Sequence, residues 1–253
     1  MRWVLEFDVF GDNERRLAEA ARRAGHEVTS WTERRRVNLD DEQHVIFHGS
    51  LNVAATIGAT YPAWRPGAFC DVEALRWSSW EASARPWLLN AEVAVTTVRT
   101  AATVAKTVGT QMVFVRPDSV LKPFSGRVLD AGEVTPETLD FGFYFDDLDL
   151  PVVIAPAVEI AAEWRFVVVD REVVAGSAYD AGTRSGDGEV TRDHAAWRFA
   201  ADVADALPPP ERVYVLDACS LPSGDLHLLE LNAFSGADLY DCDPDAIVRH
   251  VGQ

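Results

Sequence analysis

The stretch VYVLDACSLPSGDLHLLELN, residues 213–232, decides the fold of the last part of the chain. Two apolar runs flank a Pro-Ser-Gly-Asp turn, a pattern typical of a β-hairpin. Because residues i and i+2 of a strand lie on the same face, Glu230 and Asn232 should project together. Asp217 closes the first apolar run and could lie across from them in an antiparallel pair. The hairpin thus predicts two carboxylates and one amide oxygen around a single point.

This group of oxygens has two interpretations. Carboxylate and amide oxygens suit Mg²⁺ or Mn²⁺, with phosphate oxygens completing the coordination shell. Ordinary alternation on a solvent-facing hairpin would produce the same pattern, since Leu229 and Leu231 alternate with Glu230 and Asn232. The hairpin alone favours this second interpretation, and only the rest of the chain can change that.

The composition is that of a globular protein with a well-buried core. The chain has 253 residues, 48% hydrophobic and 25% charged, enough for one large domain or two small ones. A net charge of −17 argues against nucleic acid or an anionic membrane as the main partner, but a few local cations and a metal could still hold a nucleotide. The three cysteines form no Cys-x-x-Cys pattern, and no apolar run reaches the ~20 residues of a membrane span. We therefore expect a cytoplasmic protein.

Strand and helix patterns alternate through the first 88 residues. Strands are predicted over 3–10, 27–31 and 45–48, and helices over 14–24 and 52–57, with Gly25 as a helix-ending residue. This β-α-β-β-α order predicts a small α/β domain with a partly parallel sheet. Residues 60–90 are interpreted as irregular chain with a short helix that links two lobes.

The second half is richer in strands. We predict strands over 112–115, 128–131 and 152–155, a hairpin of 164–170 and 172–178, and a helix over 191–206 before the closing hairpin. Residues 91–108 fit either a helix or a strand. The fold class that follows is α+β.

Cationic side chains stand near the ends of two of these strands. Arg116 and Lys122 stand near a Ser-Gly turn and could hold phosphates by charge and by backbone N–H groups, although a surface loop is the better explanation of these residues taken alone. The guanidinium of Arg165 suits a bidentate phosphate contact, and a structural salt bridge is the alternative.

The succession of these elements resembles the ATP-grasp family, in particular the divergent R2K-like branch with an arginine at the first phosphate-lysine position. The resemblance covers roughly residues 90–240 and rests mainly on EWRFVVVDREVVAGSAY (163–179) and VLDACSLPSGDLHLLELNAFSGADLY (215–240). It implies two α+β lobes that clamp ATP, preceded by a small α/β pre-ATP-grasp domain. The implied boundaries are 1–88 for that domain and 89–253 for the ATP-grasp domain, with an N-lobe of about 89–155 and a C-lobe of about 156–253.

The resemblance also implies a role for each candidate site residue. Arg116 and Lys122 would contact phosphates, the backbone of Ala155, Ala157 and Val158 would meet the adenine edge, Glu163 would accept from the ribose hydroxyls, and Asp217, Glu230 and Asn232 would hold Mg²⁺ or Mn²⁺. Arg165 would face the phosphates or an acyl phosphate, and with Lys122 it would be catalytic. Such catalysis needs positioning and charge neutralisation rather than a protein nucleophile.

The implied reaction is ATP-dependent ligation, in which a small-molecule or peptide carboxylate is phosphorylated and an amine displaces the phosphate. A nucleotide-binding protein without catalysis and a phosphotransferase are the alternatives. Arg116 in place of a lysine and the short loop with only Gly126 motivate the first of these alternatives. The Ala155-Pro156-Ala157 hinge is a further departure from the family pattern, at the adenine contacts.

Three further residues are candidate substrate contacts. His48 ends a predicted strand, and ligands of α/β sheets bind at the carboxyl ends of strands, although a histidine there is more often only hydrogen-bonded locally. Arg184 lies in a loop over 182–188, and Tyr179 comes just before this loop. Both residues fit a substrate contact and a surface loop equally well.

Overall fold

The structure is a computed structural model, and it describes residues 1–34, 36, 38–90, 92–140, 147–180, 182–183 and 185–253. These residues form three β-sheets with helices packed on them. We call the sheets the N-terminal sheet, the middle sheet and the C-terminal sheet. Within the described residues, no helix has both the length and the apolar character that crossing a membrane requires.

The N-terminal sheet is parallel, with strand order β2-β1-β3-β4. Its strands are β1 (Arg2–Leu5), β2 (Glu27–Ser30), β3 (His44–His48) and β4 (Arg65–Gly67), and its helices are α1 (Asn13–Arg23) and α2 (Leu51–Thr60). Helix α3 (Trp77–Ala84) follows in the chain and packs in the core of the C-terminal sheet. The first strand is shorter than its sequence pattern predicts. Asp8 adopts a φ of 66°, which extended backbone does not allow, so the strand ends before it.

The middle sheet is antiparallel, with strand order β5-β8-β6-β7. Its strands are β5 (Ala94–Thr97), β6 (Met112–Pro117), β7 (Arg127–Asp130) and β8 (Pro151–Pro156), accompanied by α4 (Val98–Ala105) and α5 (Pro136–Asp140). The ambiguous stretch 91–108 contains both a strand and a helix. They meet at Thr97, whose side chain forms a capping box with Thr100 and so starts α4.

The C-terminal sheet is antiparallel, with strand order β11-β10-β9-β12-β13. Its strands are β9 (Ala162–Val169), β10 (Glu172–Asp180), β11 (Ser185–Glu189), β12 (Val213–Ser220) and β13 (Leu226–Ala233), with helices α6 (Ala195–Ala206) and α7 (Pro244–Val251). Both predicted hairpins are confirmed, as β9–β10 and β12–β13. Helix α6 starts later than predicted because His194 caps it, with Nδ1 accepting from the Ala196 N–H at 3.1 Å.

The hydrophobic cores join the N-terminal and C-terminal sheets. One core contains Trp3 and Leu17 together with Val167 and Val215, whereas the middle sheet and its helices have a core of their own. The backbone around Leu88 also pairs with Leu228 of β13, an isolated parallel bridge. The N-terminal part of the chain is therefore packed firmly against the C-terminal sheet. The division of domains at residues 88 and 89 stays a prediction.

Candidate active site

A cavity of about 660 Å³ is lined by residues of both the middle and the C-terminal sheets. Arg116 of β6 and Ala155 of β8 belong to one wall, and Arg165 of β9 and Glu230 of β13 belong to the other. Lys122, from the chain between β6 and β7, lines it too. The cavity thus brings together the cations and the carboxylate that the sequence pointed to from separate segments.

Strand pairing aligns three of the predicted site residues in one row. Asp217 of β12 stands opposite Arg165 of β9 on one side and opposite Glu230 of β13 on the other. Asn232 follows Glu230 by two residues, and its Nδ2 lies 2.9 Å from an oxygen of each carboxylate. The expected convergence of Asp217, Glu230 and Asn232 is therefore present.

Glu230 holds two cations from the opposite wall. Arg116 Nη1 lies 3.0 Å from Oε2, and Lys122 Nζ lies 2.9 Å from Oε1. Although burial opposes ionisation of this carboxyl, Lys122 and Arg116 outweigh it and hold the pKa of Glu230 well below its usual value. We call Glu230, Arg116 and Lys122 the Glu230 cluster. It is an ion-pair bridge between the two walls of the cavity.

Arg165 and Asp217 form a second, deeper ion pair. Nε donates to Oδ1 at 2.8 Å and Nη2 to Oδ2 at 2.6 Å, a bidentate arrangement with Asp217 fully buried. Burial opposes the charge of Arg165, but the Asp217 carboxylate outweighs it and holds the pKa of Arg165 well above its usual value. The guanidinium also donates from Nη1 to the Asp238 carbonyl at 2.7 Å. Arg165 is thus held rigidly at the cavity wall.

Two tyrosines flank Arg165. The rings of Tyr179 and Tyr240 stack with centroids 4.8 Å apart and an interplanar angle of 8°. The Arg165 Cζ lies 5.0 Å from the Tyr240 centroid, and Tyr179 Oη donates to Glu163 Oε2 at 2.7 Å. Burial raises the pKa of Glu163. All four of these side chains line the cavity.

One part of the cavity lining is apolar. Phe114, Val128, Val158 and Ile160 contribute to it together with Ala155, and the Val128 side chain is 56% exposed although it is large and hydrophobic. Ala157 does not contribute, and its N–H donates to the Met112 carbonyl at 3.1 Å. A flat apolar ligand would cover surface here that is otherwise left in water.

The candidate substrate residues are distributed differently from the expectation. Tyr179 lines the cavity, Arg184 lies outside the described residues, and His48 is fully buried. The His48 ring packs edge-on between Phe10 and Phe234, with centroids 5.9 and 5.3 Å away, and it is not part of the lining. The strand end that carries His48 is covered by the segment that follows β13, which the local sequence cannot reveal.

The burial of His48 predicts a specific pH dependence. Burial lowers the pKa of His48 from 6.5 to about 4, so between these values the unfolded chain binds a proton that the folded chain does not. Stability should therefore fall as the pH drops from 7 to 4, with a share on the order of 3 kcal/mol due to this group. Urea unfolding gives the free energy of unfolding of wild type and of His48→Leu at pH 7 and at pH 4. The share of His48 is the amount by which the loss between pH 7 and pH 4 is larger in wild type than in the variant. An equal loss of unfolding free energy in wild type and in His48→Leu would contradict the lowered pKa of His48.

Asp238 and Tyr240 were missed as site residues. Both line the cavity, and both lie in the FSGADLY stretch that directly follows β13. Their position six and eight residues after Asn232 was the available signal. No periodic pattern marks them, because they sit in irregular chain between the 3₁₀ turn Phe234–Gly236 and α7.

The carboxylates predicted to bind a metal are occupied by donors of the protein itself. Within the described residues, no group of three or more His, Cys, Asp or Glu side chains is arranged to hold a metal. The predicted set has two carboxylates and one amide, and each carboxylate oxygen accepts from Arg116, Lys122, Arg165 or Asn232. The oxygens suit a hard cation chemically. Glu230 would be available to such a cation only if another anion bound Arg116 and Lys122 in its place.

The chain belongs to a known family. Residues 89–250 match the model of the ATP-grasp domain, R2K clade family 2, which covers more than half of the sequence. The protein is thus an ATP-grasp protein of the R2K clade, as its sequence pattern predicted, and it has an ATP-grasp ligase-like fold. No protein with curated function matches the sequence.

Solved structures with the same fold span the whole chain. D-cycloserine synthetase DcsG is 15% identical with a TM-score of 0.64, and the match covers 100% of this chain and 99% of that one. The RimK domain ATP-grasp protein of Sphaerobacter thermophilus is 14% identical with a TM-score of 0.60, covering 99% of both chains. The ATP-grasp ligase PsnB, complexed with a precursor variant, Mg and ADP, is 14% identical with a TM-score of 0.57, covering 99% and 98%. At these identities the likeness establishes the fold alone.

Proposed function

We propose that this protein is an ATP- and Mg²⁺-dependent ligase, which phosphorylates a substrate carboxylate and lets an amine displace the phosphate. The observation that carries the proposal is the Glu230 cluster, in which one carboxylate holds two cations from the opposite wall of a cavity. In such an arrangement a bound anion can replace Glu230 at the two cations, and a bound cation can replace them at Glu230. Nucleotide phosphates would take Arg116 and Lys122, and Mg²⁺ would take Glu230.

The metal would be held by Glu230 and Asn232. Of the predicted set, Asp217 is the least available, because both its oxygens bind Arg165 and it is fully buried. We therefore propose Asp217 as the residue that positions Arg165 and Asn232. Bound Mg²⁺ would neutralise charge on the β- and γ-phosphates.

Lys122 and Arg165 would stabilise the negative charge that develops during the reaction. Lys122 would stabilise the transferring phosphoryl group, and Arg165, fixed by Asp217, would face the acyl phosphate with the N–H groups that its ion pair leaves over. No side-chain nucleophile is required by this mechanism.

The apolar part of the cavity would bind the adenine ring. Phe114 and Val128 of the middle sheet and Val158 beyond β8 provide flat apolar contacts, and the backbone of 155–158 would meet the adenine edge. Glu163 would accept from the ribose hydroxyls, in exchange for its present bond from Tyr179. The domain assignment follows the same proposal: 1–88 as a pre-ATP-grasp domain, about 89–155 as N-lobe and about 156–253 as C-lobe.

Gly126 allows a test of this wall of the cavity. A Cβ at this position would lie 2.6 Å from Phe114 Cζ, well inside van der Waals contact. Gly126→Ala should displace the Phe114 ring and weaken ATP binding by about tenfold, which is 1.4 kcal/mol. Calorimetric titration measures this. Gly58→Ala in α2 is the matched control, since a Cβ there meets nothing within 4 Å, and unchanged affinity in both variants would contradict the prediction.

Two proteins with the same fold act on different classes of substrate or product, a peptide and a small molecule. PsnB was also solved with a precursor peptide, and DcsG is named for a small-molecule product. We accordingly propose a peptide or small-molecule carboxylate and an amine as substrates.

The decisive experiment is an ADP-release assay over panels of carboxylates and amines, with hydroxylamine present as a trap. ADP together with a hydroxamate indicates an acyl phosphate and supports the ligase. ADP with a stable phosphorylated product would indicate a phosphotransferase instead. Nucleotide binding without ADP across the panels would indicate a non-catalytic binding protein. Glu230→Gln serves as the inactive reference.

A further inference from the structure

Among the described residues, three acidic side chains line the cavity: Glu163, Glu230 and Asp238. Glu230 is bound by Arg116 and Lys122, and Glu163 accepts from Tyr179. Asp238 has no ion-pair partner within the part of the chain that the structure describes, and the nucleotide and metal roles proposed above do not use it.

Asp238 is held firmly in place. Its Oδ1 accepts from the Tyr240 N–H at 2.9 Å and from the amide of Asn13 in helix α1. Its carbonyl accepts from Arg165 Nη1 at 2.7 Å. In the described residues no donor reaches Oδ2. The result is a half-buried, fixed carboxylate with one oxygen available to a ligand.

The surroundings of Asp238 suit a cation rather than a neutral donor. The nearby charge of Arg165 is neutralised by its bidentate pair with Asp217. The stacked rings of Tyr179 and Tyr240 line the same cavity, and aromatic faces attract cations. Burial raises the pKa of Asp238, since the carboxylate has lost part of its hydration, and a bound cation would offset that loss.

The position of Asp238 relates it to the reacting groups. Arg165, which would face the acyl phosphate, donates directly to the Asp238 backbone. We infer that Asp238 binds the ammonium group of the amine substrate, with Tyr179 and Tyr240 beside it. Calling this ligand the substrate rests on the proposed ligase function, whereas the ammonium site itself does not.

The test uses n-butylammonium chloride as the probe and n-butanol as its neutral counterpart. Saturation-transfer NMR on the full chain, with and without Mg·ADP, measures both dissociation constants. We expect wild type to bind butylammonium at least tenfold more tightly than butanol. Asp238→Asn should lose that preference, because the isosteric amide keeps the acceptor for Asn13 and Tyr240 but not the charge. Thermal unfolding verifies that the variant is folded.

Asp241→Asn is the matched control. It removes the same charge three residues further on, and Asp241 does not line the cavity, so the preference for butylammonium should survive. Equal binding of the two probes by wild type, or an unchanged preference in Asp238→Asn, would overturn the ammonium site. Absence of nucleotide binding by wild type would instead overturn the proposed ligase and leave the ammonium site standing.

Discussion

Glu230→Ala is expected to abolish the metal-dependent part of ATP binding while strengthening ATP binding without metal. In the proposed mechanism ATP has to displace Arg116 and Lys122 from Glu230, and Mg²⁺ would compensate the charge of the carboxylate that is left behind. Without Glu230 both cations are available to the phosphates. Each charge-assisted contact contributes about 1.5–3 kcal/mol, so metal-free affinity should rise by about tenfold or more. Turnover should fall by about 10²–10³-fold.

Calorimetric titration of ATP with and without Mg²⁺ measures both effects. Glu172→Ala, at the exposed first residue of β10, is the control that removes the same type of side chain away from the cavity. Its titrations should match wild type with and without metal. If Glu230→Ala still binds ATP more tightly with Mg²⁺ than without it, Glu230 is not the metal ligand and the partner-exchange proposal fails.

Breaking the Arg165–Asp217 pair is expected to cost more stability than any surface change. Asp217 is fully buried and Arg165 is 8% exposed, so removing either partner leaves an uncompensated charge inside the protein. Loss of one member of such a pair costs about 3–5 kcal/mol. In a chain of this size Asp217→Ala should lower Tm by on the order of 10 °C. Calorimetric or optical melting measures the shift.

The combined variant Arg165→Met, Asp217→Leu separates stability from function. Apolar side chains of similar volume restore a buried contact without buried charge. The double variant should therefore recover most of the decrease in Tm that Asp217→Ala causes, but it should not recover ADP release. Asp149→Ala is the control, because its pair with Arg99 is exposed and its loss should scarcely move Tm. An Asp217→Ala melting curve that overlays wild type would show that the pair is not structurally important.

Local sequence signals predicted the secondary structure where one periodicity dominates. The apolar runs around 222–225 form the β12–β13 hairpin, and Gly25, with a φ of 79°, follows helix α1 as expected. Local sequence signals did not predict the ends of elements that are set by a tertiary contact or by a backbone constraint. The β1 strand ends at Leu5, and the 91–108 stretch changes from strand to helix at the Thr97 cap.

The candidate site divides along the same line. Strand alternation placed Glu230 and Asn232 on one face, and the family resemblance pointed to Arg116, Lys122 and Arg165. The sequence did not reveal that His48 is enclosed by aromatic rings, or that Asp238 lines the cavity and has no ion-pair partner among the described residues. Both facts depend on the segment after β13 meeting the N-terminal sheet.

The sequence by itself determined which side chains share a strand face, because that follows from the two-residue period of extended backbone. It also determined the family, through the order of its elements. Only the tertiary structure decided which charges meet. Lys122 and Glu230 are 108 residues apart in the chain, yet Nζ and Oε1 are 2.9 Å apart. Contacts of this kind depend on how separate sheets pack, and no local pattern encodes the partner of a charge.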